Sequence, residues 1–123
     1  MTPGVGIDVL EIERLEQALA RRPGLAKRVF RESELAFAAS RRRPGRHLAV
    51  RFAAKEAALK ALGLGGLRLR EVEVEDGGER PPRLRLHGSA REAALSAGVE
   101  LAVSLSHSRE IATAVVITTP TRG

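Results

Sequence analysis

The spacing of apolar residues changes in a definite order along this chain, and that order constrains the fold more than any other feature. An apolar segment at 5–10 is typical of a short buried strand, and Ile12, Leu15 and Leu19 then recur at helical spacing. Further helical segments follow as far as Leu62, and alternating segments typical of strands occupy most of the rest. One strand, a run of helices, and strands with one inserted helix predict an α+β fold with a mainly antiparallel sheet.

Glycine, proline and capping residues set the predicted bounds of these elements. Pro23-Gly24 ends the first helix, Pro44-Gly45 is predicted to be a break, and Gly63 is the C-cap of the helix before it. Ser89 and Glu92 have the spacing of a capping box. We predict helical segments at 25–30, 33–40, 47–62 and 89–97, and strands at 5–10, 67–75, 83–87, 99–105 and 111–118. No repeat or second boundary is evident, so 1–123 is predicted to be a single domain.

The composition excludes several kinds of site. Cysteine is absent, which excludes disulfides and thiolate metal sites and suits a reducing cytoplasm, where we expect the protein to act. The sequence from Met1 to Gly4 has no signal-peptide pattern, and no apolar stretch approaches the roughly 20 residues of a membrane span. With no Tyr or Trp and three Phe, the core must be built from Leu, Val, Ile and Ala.

The formal net charge is +6, and most of the positive charge is arginine. A basic surface attracts nucleic acids, anionic membranes or acidic proteins, and charge alone does not choose among them. In the first helix Arg14 and Arg21 lie on the face opposite Ile12, Leu15 and Leu19.

Asp8 is an anomaly, because it is the one charged residue in an otherwise apolar strand. A carboxylate in such a place is costly unless it is paired or binds a cation. On the strand alone, we favour the simpler interpretation that Asp8 caps the helix that follows.

The segment 51–63 holds a second candidate group. Glu56 and Lys60 are four residues apart on a helix, so their side chains are neighbours, and the simplest interpretation is an exposed ion pair. Ala49 and Ala53 on the same flank leave room for a ligand or for a close backbone approach. Lys55 projects into the apolar stripe of this helix, which we interpret as snorkelling of its aliphatic stem.

His107 ends an alternating strand in phase with apolar residues, and a lone histidine in such a position is more often structural than a ligand. The histidines have no zinc-like spacing, and no P-loop or dinucleotide fingerprint is present.

Taken in order, these segments resemble a known family. Gly6-Ile7-Asp8 with Glu11 and Arg14, the run from Arg51 to Gly63, and Leu105-Ser106-His107 are similar to the motifs of the small bacterial holo-acyl-carrier-protein synthases. These enzymes belong to the phosphopantetheinyl transferase superfamily. The resemblance extends from Gly6 to Ile117, and its most specific part is the Arg-Phe-Ala-Ala-Lys-Glu-Ala run that starts at Arg51.

The resemblance implies a reaction, a metal and partners. The enzymes transfer the phosphopantetheine arm of coenzyme A to a serine of apo acyl carrier protein and release adenosine 3',5'-bisphosphate, with Mg²⁺. Members of this size usually form trimers with each active site at a subunit boundary. Neither nucleic acid nor membrane is an expected partner.

The resemblance also implies roles for particular residues. Asp8 and Glu56 hold the magnesium ion and, with Lys60, form the catalytic group. Glu56, directly or through a water molecule, is a candidate base for the serine hydroxyl. The helix that carries Arg14 and Arg21 docks the acidic carrier. The coenzyme A site is expected to include Arg51, Lys60, Gly63, Ser106 and His107.

Two departures and two alternatives accompany this hypothesis. Arg31 stands where the family often has Thr or Ser, and the loop at 63–67 looks short, which affects the expected coenzyme A contacts there. The net charge and the run 41–43 also suit a nucleic-acid-binding module, although three aromatic residues offer few stacking platforms. An oligomeric scaffold without chemistry would not require Asp8.

Overall fold

The computed structural model describes residues 4–66 and 68–121. The strands are β1 (Val5–Glu11), β2 (Val72–Glu75), β3 (Arg83–Leu86), β4 (Val99–His107) and β5 (Ile111–Pro120). The helices are α1 (Ile12–Arg21), α2 (Leu25–Val29), α3 (Glu32–Ala39), α4 (Pro44–Ala61) and α5 (Gly88–Ala97), with a 3₁₀ turn at Leu69–Glu71. One antiparallel sheet has the order β1-β5-β4, and β2 and β3 form a separate antiparallel pair. The predicted α+β fold with a mainly antiparallel sheet is confirmed.

Helix α4 is the centre of the core. It packs against β1 and β5 and is buried on most of its circumference, because small alanine side chains let neighbouring elements approach from several directions. Its fully buried alanines are Ala49, Ala53, Ala54, Ala57 and Ala58. The predicted break at Pro44-Gly45 is wrong, since α4 begins at Pro44 rather than at His47. Proline is favoured in the first turn of a helix, where its missing N–H leaves no helical hydrogen bond unmade.

Strand β1 lies directly against α4. A Cβ atom on Gly6 would overlap the carbonyl of Ala57, and one on Gly4 would overlap the carbonyl of Ala61. Glycine at these positions therefore permits the backbones of strand and helix to touch. The alanines of α4 predicted a close approach of another backbone beside Ala49 and Ala53. That approach occurs beside Ala57 and Ala61 instead, and Ala49 and Ala53 are buried in the core. Asp8 is carried by the same strand to the side of α4.

The prediction that β1 is buried is wrong for one of its faces. Val5, Ile7 and Val9 are 65%, 59% and 59% exposed. Val115 and Ile117 of β5 are also exposed, and they pair with Ile7 and Val5, so these five side chains share one face of the sheet. The opposite face is the one that packs against α4. The sequence pattern could not distinguish a strand covered on both faces from one with an uncovered apolar face.

The snorkelling interpretation of Lys55 is also wrong, because its ammonium group is fully buried. Its Nζ atom donates to Glu34 Oε1 at 2.7 Å, to the Leu69 carbonyl at 3.2 Å and to the Val72 carbonyl. Glu34 in turn accepts from the backbone N–H groups of Arg31 and Val74. Burial lowers the pKa of Lys55 and the neighbouring Glu34 opposes that shift. The pair joins α3, α4, the 3₁₀ turn and β2 in a single hydrogen-bonded group.

Two local predictions need further correction. The segment predicted as a strand at 67–75 is a 3₁₀ turn followed by the short strand β2, and Leu67 lies outside the described residues. Ser89 is not an N-cap: α5 starts one residue earlier, and Glu71 caps it by accepting from the Ala90 N–H and from the Ser89 hydroxyl. A carboxylate that is distant in sequence has replaced the predicted capping box.

The end of α4 agrees with the prediction. Gly63 follows the helix with a φ of +70° and donates to the Lys60 carbonyl, which is the left-handed termination that favours glycine. Among the described residues, the helices include none with the length and apolar character that crossing a membrane requires.

The buried pair gives a test of the fold. Lys55→Met should lower the free energy of unfolding by about 3–5 kcal/mol, because it leaves the Glu34 carboxylate buried without its cation. Adding Glu34→Gln should recover part of that loss, so the two substitutions should be strongly non-additive. Urea unfolding of the two single variants and the double variant measures the coupling.

Lys60→Met is the matched control, since Lys60 is 54% exposed and its ion pair with Asp8 should contribute at most about 1 kcal/mol. If Lys55→Met cost no more than Lys60→Met, the buried pair would not have the structural role assigned to it.

Candidate active site

Asp8, Glu56 and Lys60 meet at one side of α4. The Lys60 ammonium donates to the Ile7 carbonyl at 3.0 Å and to Asp8 Oδ1 at 3.3 Å. The Asp8 side chain is 18% exposed, so the group opens to solvent at the β1 edge of the sheet. Asp8 does not cap α1, whose N-cap residue is Glu11 without a side-chain hydrogen bond. Lys60 therefore pairs with Asp8 across two elements rather than with Glu56 along its own helix.

Glu56 has an unusual environment for a carboxylate. Within the described part of the chain it makes no hydrogen bond or ion pair, although Lys60 is one helical turn away. Partial burial raises its pKa, and the nearby charge of Asp8 raises it further, while Lys60 opposes both effects. Two neighbouring carboxylates repel each other, and a shared cation relieves that repulsion.

The donor set fits a magnesium ion. Asp8 and Glu56 offer hard carboxylate oxygens, and magnesium usually binds one or two protein carboxylates while retaining water or phosphate oxygens. In the segments 4–66 and 68–121 no group of three or more histidine, aspartate or glutamate side chains could hold a metal by itself. Asp8 and Glu56 would be the two protein ligands, and water or phosphate oxygens would complete the coordination of the ion.

Arg51 and His107 line a different feature, a cavity of about 410 Å³ between α4, β4 and the turn that joins β2 to β3. His47 also lines it, together with Gly77, Pro81 and Pro82 from the turn. Its lining residues include no carboxylate. A cavity with histidine and arginine side chains and without acidic ones is suited to an anion.

The guanidinium groups near this cavity have unused donors. Arg51 is 3% exposed and donates from Nη2 to the Asp76 carbonyl at 2.7 Å, but its buried Nε has no partner among the described residues, and neither has that of Arg46. Burial lowers the pKa of Arg51. Burial and the charges of Arg46, Arg41 and Arg51 lower the pKa of His47. Unpaired buried donors and concentrated positive charge both favour binding of an anion such as phosphate.

Within one chain, the body of α4 separates the carboxylate group from the cavity. Asp8, Glu56 and Lys60 are absent from the cavity lining, and Asp8 lies on strand β1 at one edge of the sheet whereas His107 lies on β4 at the other. The buried alanines of α4 fill the space between them. Within one chain, the predicted site residues therefore form two separate sets: the carboxylate group and the residues that line the cavity.

Gly63 and Ser106 join neither set directly. Gly63 lies past the end of α4, and no described atom is within 4 Å of the position that a Cβ would occupy. Ser106 pairs with Thr113 and alternates with His107, so its side chain is on the opposite face of the sheet from the cavity. That is the face with the exposed apolar residues of β1 and β5.

Arg14 and Arg21 are both exposed on α1, as predicted, while Ile12 and Leu15 are buried. Two helical turns separate the arginines, which places them on the same face. Arg14 also lines a shallow apolar groove with Val9 and Leu10 of β1. The basic face is therefore next to the strand that carries Asp8.

Sequence reasoning missed Arg46 and His47. Both lie in the first turn of α4, where Arg46 precedes the predicted start of the helix at His47. His47 is four residues before Arg51, so the predicted helix already made their side chains neighbours, whereas Arg46 joins the helix only if the helix begins at the proline.

The comparisons with known proteins agree on one family. A family model described as the 4'-phosphopantetheinyl transferase superfamily matches residues 4–116. A holo-[acyl-carrier-protein] synthase from Moorella thermoacetica is 49% identical over 91% of this chain and 90% of its own length. The enzyme of the same name from Streptomyces coelicolor is 52% identical over 93% of this chain and 94% of its own length.

Solved structures give the same result. The ACPS–CoA complex from Chronobacterium ammoniagenes has a TM-score of 0.84 and 30% identity, covering 99% of this chain and 100% of that one. The holo-(acyl-carrier-protein) synthase from Bacillus anthracis in complex with CoA (3',5'-ADP) has a TM-score of 0.78 and 31% identity, covering 96% of each chain. The chain therefore belongs to the holo-[acyl-carrier-protein] synthases of the 4'-phosphopantetheinyl transferase superfamily.

Proposed function

We propose that this enzyme transfers the 4'-phosphopantetheine group of coenzyme A to a serine of apo acyl carrier protein and releases adenosine 3',5'-bisphosphate. The observation that carries the proposal is the pairing of Asp8 with Lys60 beside Glu56, which lacks a partner of its own. Two relatives of the same fold are complexes with coenzyme A. A carboxylate pair for a cation and a separate cationic cavity match a substrate that carries both a diphosphate and a further phosphate.

In this proposal Asp8 and Glu56 hold a magnesium ion. When bound, the ion neutralises charge on the diphosphate and assists departure of the leaving group. Lys60 lies beside Asp8, and in this position its ammonium group can also bind a phosphate oxygen. Arg51, His47 and His107 bind the phosphate-bearing nucleotide end of coenzyme A in the cavity.

The transfer exchanges one phosphorus–oxygen bond for another. The serine oxygen of the carrier forms a bond to the phosphorus that bears the pantetheine arm, and the bond from that phosphorus to the bridging oxygen breaks. The electron pair leaves with adenosine 3',5'-bisphosphate. The serine proton passes to Glu56, directly or through a water molecule, so this carboxylate is the candidate general base.

We further propose that the protein is a homotrimer with each active site at a subunit boundary. The separation of the carboxylate group from the cavity in one chain supports this, because a neighbouring chain can bring its cavity to the open β1 edge. The exposed apolar face of the sheet gives a reason to associate, since such a surface is stabilised by removal from water. Val5, Ile7, Val9, Val115 and Ile117 form that face.

The carrier docks on α1 in this account. Acyl carrier proteins are acidic, and Arg14 and Arg21 present positive charge next to the strand that holds Asp8. Docking there would present the carrier serine to the carboxylate group. The absence of cysteine agrees with a reducing compartment, and we propose that the enzyme acts in the cytoplasm.

Removal of either carboxylate should abolish most of the activity without unfolding the protein. Wild type, incubated with apo carrier, coenzyme A and Mg²⁺, should add one phosphopantetheine to the carrier serine, as seen by mass spectrometry. Asp8→Asn and Glu56→Gln should each slow this by about a hundredfold or more, a scale typical of removing a charge-stabilising group at a reacting centre. Combined, they should be strongly non-additive.

Thermal unfolding distinguishes this result from simple damage. Mg²⁺ with coenzyme A should stabilise the wild type and the exposed control Glu92→Gln, but not the two site variants. Near-normal turnover of either site variant at low magnesium would remove that residue from the site. No mass gain on several carriers with the wild type would refute the proposed function.

Charge reversal on α1 should weaken carrier binding selectively. Arg14→Glu with Arg21→Glu should raise KM for the carrier and leave coenzyme A binding nearly unchanged. The difference from wild type should shrink as salt rises, because exposed charges are screened over about 8–10 Å at ordinary ionic strength. Arg91→Glu, an exposed arginine on α5, is the control. Unchanged carrier affinity in the double variant would place the docking face elsewhere.

A further inference from the structure

Phe37 of α3 contacts three basic side chains. The guanidinium carbons of Arg51 and Arg41 lie over its ring, at 4.0 Å and 4.3 Å from the ring centroid. The His47 ring meets it edge-on, with centroids 5.7 Å apart and an interplanar angle of 76°. Phe37 itself is half-buried. One aromatic ring is thus the common neighbour of Arg51 and His47, which line the cationic cavity, and of Arg41.

Arg51 and His47 line the cavity, whereas Phe37 does not. Any effect of the phenyl ring on a ligand in the cavity must therefore pass through these basic side chains. The Arg51 guanidinium is fixed by the Asp76 carbonyl on Nη2 and by the ring of Phe37 against its face. Its Nε is left without a protein partner among the described residues. The ring and the carbonyl together determine where that unused donor is directed.

The ring also offsets an unfavourable arrangement of charge. Arg41 and Arg51 are close enough that Arg41 contributes to lowering the pKa of Arg51. The negative face of an aromatic ring attracts guanidinium groups and keeps its strength where water is partly excluded. Phe37 can therefore hold two mutually repelling cations near the cavity before an anion binds there.

The turn between β2 and β3 depends on the same arrangement. A Cβ on Gly78 would lie 2.7 Å from Arg41 Nη2 and 3.5 Å from the Phe37 ring. A Cβ on Gly77 would lie 3.7 Å from Arg51 Nη1. The turn that supplies one wall of the cavity is thus packed directly on the side chains that Phe37 orders.

We propose that Phe37 is a positioning residue for the nucleotide end of coenzyme A: its aromatic face preorganises Arg51 and Arg41, and so fixes the cationic cavity before the substrate binds. This rests on the proposed function, in that the ligand of the cavity is the phosphate-bearing adenosine portion. Preorganisation lowers the ordering cost of binding, so its loss should appear in affinity rather than in the chemical step.

The test compares Phe37→Leu, which removes the aromatic face but remains apolar, with Phe37→Tyr, which keeps that face. Calorimetric titration with adenosine 3',5'-bisphosphate should give a Kd about tenfold weaker for Phe37→Leu, or about 1.4 kcal/mol. KM for coenzyme A should rise by a similar factor while kcat stays near that of the wild type. Phe37→Tyr should restore most of the affinity.

Phe52→Leu is the matched control for nucleotide binding, because Phe52 is also half-buried but lines the groove beside α1 instead. Its Kd for the bisphosphate should equal that of the wild type, and all variants should keep a cooperative thermal transition. A Kd for Phe37→Leu equal to that of the wild type would overturn the proposal. So would a fall in kcat without a change in Kd, or a Phe37→Tyr variant as weak as Phe37→Leu.

Failure of the proposed function has a different signature. If the wild type itself did not bind adenosine 3',5'-bisphosphate, both the assignment of the cavity and the role of Phe37 would fall. If the wild type and Phe37→Leu bound it equally well, only the proposed role of Phe37 would be refuted.

Discussion

The buried Lys55–Glu34 pair is the interaction on which the rest of the structure depends. Lys55 uses its ammonium hydrogens on one carboxylate and two backbone carbonyls, and Glu34 accepts two backbone N–H groups besides. A buried charge is tolerated only when it is compensated in this way. The pair sets the rotation of α4 against α3 and β2. Because Glu56 is the next residue along the helix, that rotation also directs Glu56 towards the β1 edge.

From this arrangement the two parts of the site follow. On one side of α4, the glycines of β1 allow the strand to touch the helix, so Asp8 comes beside Lys60 and Glu56. On the other side, the backbone N–H of Val74 in β2 donates to Glu34. The turn that follows β2 supplies the Asp76 carbonyl that accepts from Arg51. The same helix therefore separates a carboxylate group suited to a cation from a cavity suited to an anion. Under the proposed function, coenzyme A would use both.

The sequence predicted the order of the elements, the buried and exposed faces of α1 and the glycine that ends α4, because each depends on neighbours within a few residues. It did not predict what depends on distant partners. Lys55 looked like a snorkelling side chain since Glu34 is 21 residues away, and Glu71 replaced the local cap of α5. The family resemblance supplied the proposed roles of Asp8 and Glu56, for which the local pattern alone favoured a helix cap and an exposed ion pair.

Subunit complementation tests the proposal that the carboxylate group of one chain works with the cavity of its neighbour. Asp8→Asn and His107→Ala chains, each poorly active alone, would be unfolded together, refolded as mixed oligomers and assayed for phosphopantetheine transfer. Turnover should recover in the mixture, because some boundaries then combine an intact Asp8 with an intact His107. No recovery in oligomers whose mixed composition is established by native mass spectrometry would contradict it.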